Sequence, residues 1–152
     1  MTNDFDFLHG RWRVAHRRLD ARLVGCTTWT DFTGTCSAWP LLGGHGNIDD
    51  NVLDMPGGTY RAATLRSHDP ATGLWSIWWL DARNPGRLDP PVVGRFDGAI
   101  GTFECDDVLG GRRIRVRFRW TAHREQPIWA QDFSPDAGTT WETNWEMRFT
   151  RA

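Results

Sequence analysis

The sequence predicts an all-β protein: an antiparallel up-and-down barrel of about eight to ten strands, with a short N-terminal plug at one end. Two observations predict it. Short runs of strand composition recur along the whole chain, separated by turn signals such as Pro56-Gly57-Gly58, Asp97-Gly98 and Gly110-Gly111. No segment carries the sustained periodicity of a long helix. Closure is favoured over an open sheet because so many consecutive hairpins would otherwise leave exposed edges. At 152 residues the chain is read as one domain, residues 1–152.

Phe5-Asp6-Phe7-Leu8-His9-Gly10-Arg11-Trp12 reads as the plug, with Gly10 allowing a tight turn before the first strand. Residues 12–23 alternate, placing Trp12, Val14, His16 and Arg18 on one face. If that face points inward, Arg18 lies towards the mouth. Residues 28–39 have strand composition without clean sidedness, so their faces stay open. Pro40 to Asn51 is glycine-dense and polar, a connection leading into a short strand that ends near Met55. Residues 59–68 form the next strand, and Leu74 to Asp81 the one after it. The latter is apolar on both faces, so its outer Trp78 side requires cover from the plug, a loop or a second subunit in a homodimer.

Residues 84–91 are a loop by composition. Asp97-Gly98 suits a two-residue hairpin pairing Phe96 with Ala99, with Val92, Gly94, Phe96, Gly101, Phe103 and Cys105 on a core face. Residues 112–122 set Ile114, Val116, Phe118 and Trp120 against a ladder of arginines. Residues 127–134 put Trp129, Gln131 and Phe133 on one side. Ser134 to Trp141 matches the Asp-box turn, in which an aspartate side chain binds backbone amides. The last strand, 141–149, is read with Trp141, Thr143, Trp145, Met147 and Phe149 inward, and Glu142, Asn144, Glu146 and Arg148 outward.

The formal net charge of -1 favours neither nucleic acid nor an anionic membrane, and the arginine ladder reads as a solvated, salt-bridged face. All 18 basic residues are arginine, which excludes a lysine Schiff base and a Walker lysine. No apolar run is long enough for a membrane span, and the start lacks a basic segment followed by an apolar stretch. A soluble, cytoplasmic protein is expected. Cys26, Cys36 and Cys105 lack metal spacing and read as reduced thiols. No metal or cofactor is expected.

The abundance of indole, 10 Trp beside 8 Phe and a single Tyr, suits either a bulky core or a pocket for a flat ligand. The first functional reading is therefore a binding protein for a small, mostly apolar or aromatic molecule in the barrel. Its ligand-binding candidates are Arg18, His45, Asn47, Trp79, Trp129, Gln131 and Trp145, with His45, Asn47 and Asp49 on a polar lip. The alternative is an isomerase, cyclase or dehydratase using His16 as acid or base, partnered by Asp49 or Asp81. A third reading is haem held by His16, His45 or His123, and a fourth is a barrel packed solid that acts through its surface.

Gly10-Arg11-Trp12 is similar to the Gly-x-Trp signature of lipocalin and calycin barrels, in which an arginine from the last strand covers the indole; Arg148 and Arg151 stand where that arginine should be. With Phe-x-Phe-Leu-x-Gly-x-Trp at 5–12, the chain also carries Gly-Gly-x-Gly-Asn-x-Asp at 43–49 and Asp-Pro-x-Thr-Gly-x-Trp at 69–75. A fourth segment, Phe-Ser-x-Asp-x-Gly-x-Thr-Trp-Glu-x-Asn-Trp, occupies 133–145. Together they resemble the DUF1579-type bacterial calycins over nearly the whole chain. The resemblance implies a lipocalin-like barrel and supplies no catalytic residues, so function must be argued from the site.

Overall fold

A computed structural model describes residues 2–152. A single helical turn, Asp6–Leu8, precedes ten strands: β1 (Gly10–Leu19), β2 (Trp29–Leu41), β3 (Gly46–Met55), β4 (Gly58–Asp69) and β5 (Leu74–Asp81), then β6 (Val92–Asp97), β7 (Ile100–Leu109), β8 (Arg112–Thr121), β9 (Ile128–Ser134) and β10 (Glu142–Arg151). Each strand pairs antiparallel with its neighbours in sequence, and β1 also pairs with β10, so the sheet closes on itself as a lipocalin-like barrel. Closure gives every described strand a partner on both sides, the β5–β6 seam being the shortest.

The predicted alternation decides which side chains fill the interior. On β1 Trp12, Val14 and His16 are buried while Arg11, Arg13, Ala15 and Arg17 are exposed. The faces of β2, unreadable from composition, resolve with Phe32, Gly34, Cys36 and Ala38 inside. Gly34 has a steric reason: a Cβ there would stand 2.2 Å from the Val52 carbonyl oxygen and 3.2 Å from His16 Nε2. On β5 Trp75 and Ile77 are buried on the inner face, and the outer Trp78 pairs with Leu65 of β4 and is half-buried.

The plug seals the end where β1 begins. Phe5 is buried among aromatic rings, edge-on to Trp75 at 4.8 Å and to Phe96 at 5.0 Å. Trp12 donates its indole N–H to the Leu8 carbonyl at 2.7 Å, which ties the first strand to the helical turn. The guanidinium of Arg151, rather than Arg148, covers the Trp12 ring at 3.7 Å and donates to the His9 carbonyl at 2.7 Å. Arg148 is exposed.

Several sequence expectations are corrected. The polar connection predicted over 40–51 shrinks to residues 42–45, because β2 and β3 stay paired as far as Leu41 and Gly46. β1 ends at Leu19 rather than 23: Asp20 turns the chain, its backbone N–H donating to the Thr28 carbonyl at 2.9 Å. At the β6–β7 hairpin Phe96 faces Gly101, not Ala99, and Asp97 faces Ile100, so Gly98 and Ala99 form the turn. The core face expected there survives. On β10 the register shifts between Thr143 and Trp145, where Asn144 forms a bulge. That extra residue reverses the alternation before it: Thr143 joins the outer Arg119–Asp132 group, and Glu142 turns to the open end, where it accepts the Leu23 backbone N–H at 2.7 Å. Trp145, Met147 and Phe149 keep their inward positions.

The Asp-box turn forms as its residues require. Asp136 accepts the Thr140 backbone N–H at 2.8 Å and its hydroxyl at 2.6 Å, with Gly138 at φ 94°. These hydrogen bonds hold the Asp136 carboxyl down at about 2. The arginine ladder of β8 lies outside and is largely paired: Arg117 and Arg119 both reach Asp132, at 2.8 and 2.6 Å, and Arg115 reaches Glu104 at 2.9 Å. Among the described residues no helix is long and apolar enough to cross a membrane.

Candidate functional site

The barrel interior divides into three levels. The plug level is filled by Phe5, Phe103, Trp120 and Phe149, all buried. The middle level is polar on one side. Arg66 of β4 and Asp49 of β3 form a buried ion pair at 2.6 Å, with side chains 3% and 4% exposed. Asn47 accepts from Arg66 at 2.8 Å, and Asp49 also accepts the Thr64 backbone N–H at 3.0 Å and the Asn51 amide at 2.5 Å. Only about 20 Å³ of free space remains beside this group, so the middle of the barrel is packed.

The open end is different. A cavity of about 280 Å³ lies there, walled by Trp79, Trp129, Trp145, Phe118 and Phe133 and lined at its rim by Arg18, Arg22, Arg83, Asp81, Asp89 and Gln131. A side pocket of about 80 Å³ continues it between β5 and β7, reaching Cys105, Asp107 and Pro90. Its opening follows from the strand pattern: β5 pairs with β6 only from Trp75 to Ile77, and beyond that point the 82–91 loop takes over. The loop is anchored by the Leu80–Leu88 bridge and by the Asp89 backbone N–H, which donates to the Trp79 carbonyl at 3.1 Å.

Of the residues singled out in the sequence, Arg18, Trp79, Trp129, Gln131, Trp145 and Asp81 converge on this cavity. Gln131 is positioned by the bulge, donating its side-chain amide to the Asn144 carbonyl oxygen at 2.8 Å. Trp129 and Trp145 meet edge-to-face at 5.0 Å, as do Trp79 and Trp145 at 5.7 Å. Those contacts fix the indole walls. His45, Asn47 and Asp49 do not form a lip over the cavity. The β2–β3 hairpin lies at the plug end, and β3 turns Asn47 and Asp49 into the buried ion-pair group.

His16 lies inside and is 4% exposed, but neither Asp49 nor Asp81 is its partner. Its ring stacks on Phe32 at 4.5 Å, and its Nδ1 accepts the Trp145 indole N–H at 3.1 Å. Burial, reinforced by the Arg18 charge, pulls its pKa down to about 3, so it is neutral near pH 7. Asp81 pairs instead with Arg83, 2.8 Å away. Burial works to raise the Asp81 carboxyl, but the Arg83 hydrogen bonds outweigh it and hold the group below its ordinary value. A haem ligand is not available in these histidines. Nδ1 of His16 is engaged and its Nε2 packs over Gly34, while His45 and His123 stand in loops at the opposite end from the cavity.

Sequence reading missed three residues of the mouth. Arg22 sits in the loop after β1 with its guanidinium 5.7 Å from the Phe133 ring centre; burial and the Arg18 charge lower its pKa. Tyr60 accepts from Arg18 Nη2 at 2.9 Å. Asp89 lines both cavities, and its carboxyl is raised by burial and by Asp107. No spacing rule links these three, since each reaches the rim from a different loop or strand. The Cys36 and Cys105 thiols are not poised as nucleophiles: burial raises Cys36, and burial with Asp107 pushes Cys105 up to about 12.

No family model matches the chain. One curated protein is similar to it, thiosulfate sulfurtransferase YnjE of Escherichia coli (strain K12), 24% identical over 141 residues. The match covers 82% of this chain and 30% of that protein's length. At that identity it shows neither family nor activity.

Proposed function

We propose that the barrel holds a small, mostly apolar or aromatic molecule at its open end, with Trp79, Trp129 and Trp145 as the walls. The observation that carries this reading is the cavity of about 280 Å³ among aromatic side chains, in an interior that is otherwise filled. Its size lies near the lower end of small-molecule pockets, which suits a compact ligand of up to about three rings better than a long chain. Binding needs only shape and a few polar anchors, and Gln131 and Arg18 supply them.

Titration with the neutral fluorophore N-phenylnaphthylamine tests it. Saturable emission, with quenching of tryptophan fluorescence and a rise in Tm, is the expected outcome. Gln131→Trp, which fills the cavity, should abolish the signal. A signal that survives that substitution would place the dye elsewhere and remove the basis for the site.

A second reading is proton transfer at the same cavity, and what favours it is Asp89 rather than His16. Its raised carboxyl faces the cavity, where it would serve as a general acid or base. Should any turnover be found, Asp89→Asn would reduce it at least about 100-fold if Asp89 moves the proton. A smaller loss would assign Asp89 to the rim alone.

A further inference from the structure

We propose that the mouth cavity selects monoanionic aromatic acids, seating a carboxylate between Arg18 and Arg22 while the ring lies against the indole walls. This deepens the binding reading above and rests on it. Two cations at the mouth have no carboxylate in salt-bridge contact, although the Glu142 charge is felt at Arg22. Arg18 donates to the Tyr60 hydroxyl at 2.9 Å and lies 3.7 Å from the Met55 sulfur, but its Nε is buried with no hydrogen-bond partner. The Nε of Arg22 is buried and unpartnered as well. Among the described residues neither guanidinium has a carboxylate within 4.0 Å.

The acidic groups facing them are engaged elsewhere or held apart. Asp81 is paired with Arg83, Glu142 accepts the Leu23 backbone N–H, Asp107 lines the side pocket, and Asp89, which lines both cavities, is not within 4.0 Å of either guanidinium. The Arg18 guanidinium lies 4.0 Å over the face of Trp145, which leaves Trp79 and Trp129 as the walls for a flat ligand beside the charge. A guanidinium with free donors in a partly dehydrated cavity is matched by a planar carboxylate, which accepts two parallel hydrogen bonds from such a fork.

The opposite wall sets the upper limit on charge. Asp89 and Asp107 would repel a second negative group reaching into the side pocket, so an aromatic diacid with its carboxylates at opposite ends fits less well than a monoacid. A hydroxyl or amine at the far end of the ring could instead hydrogen-bond to Asp89.

Calorimetry at pH 7 with 2-naphthoate, its neutral methyl ester and naphthalene-2,6-dicarboxylate tests the assignment. Naphthoate should bind the wild-type protein at least about tenfold more tightly than the ester and more tightly than the dicarboxylate. Arg18→Met and Arg22→Met should each remove most of the acid-over-ester preference, and Arg18→Lys should retain part of it. Were Arg18→Met to unfold, Arg22→Met, in a loop, still carries the test. Ester binding equal to acid binding, a preference unchanged in Arg22→Met, or tighter binding of the dicarboxylate would each overturn the assignment while leaving an apolar pocket in place. No binding by any of the three, with N-phenylnaphthylamine also silent, would remove the pocket itself.

Discussion

Trp145 donates its indole N–H to Nδ1 of His16 at 3.1 Å, and this bond makes a buried histidine an acceptor instead of an acid. The protonated form has lost its preferred partner geometry and is penalised by burial, so the ring is neutral until about pH 3. In the unfolded chain the same histidine takes up its proton near pH 6.5. The unfolded state therefore binds one proton more than the native state between those values, and stability falls as pH drops through that window, by about 1.4 kcal/mol per pH unit at its steepest. Urea unfolding at pH 7 and pH 5 measures the slope. His16→Gln, which preserves an acceptor for Trp145, should flatten it by one proton.

Breaking the Asp49–Arg66 pair should be among the costliest single changes. Arg66→Met leaves the Asp49 carboxylate buried without its cation, and the loss should be about 3–5 kcal/mol. Asp49→Asn combined with Arg66→Met removes both charges and should cost clearly less than the sum of the two single changes. Additive losses in denaturant melts would show that the two side chains do not act as a unit.

Phe5 is 2% exposed and touches Trp75, Phe96, Phe103 and Trp120, so Phe5→Ala opens the sealed end. We expect a loss of about 3–5 kcal/mol, a value typical of a phenylalanine removed from a core. Ligand binding at the opposite end should change little in the fraction that remains folded. A matching collapse in affinity would mean that the two ends are coupled.

Gly34→Ala tests the close approach of β2 to β3. The added methyl would fall 2.2 Å from the Val52 carbonyl oxygen, a contact that only a backbone shift can relieve. Soluble yield and Tm should both drop. An unchanged Tm would mean that the strands part easily at this point.

Much of the architecture was legible because alternation and turn chemistry speak directly to strands. Trp12, Val14, His16 and Arg18 took the face their spacing assigned, and the Asp-box residues built the turn their types demand. Errors arose where one residue changes the count. Asn144 is an extra residue in β10, and nothing local distinguishes it from its neighbours, so Thr143 and Glu142 were placed on the wrong faces. The glycines at 43, 44 and 46 suggested a long loop; Gly46 instead belongs to the strand, where a Cβ would meet the Arg66 carbonyl oxygen at 2.5 Å. For the cavity, the indoles were identifiable by their inward periodicity. Arg22 and Asp89 were not, since loop residues carry no periodicity and their positions depend on how the barrel closes.

Arg151 over Trp12, with the Ala152 backbone N–H donating to the Arg11 carbonyl at 3.1 Å, fastens the end of β10 beside the start of β1 at the plugged pole. Anything joined to the chain at either extremity, whether a tag, a surface linker or another folded unit, would thus extend from the pole remote from the open end. An immobilised or fused form would present that open end outward, unobstructed by its own attachment.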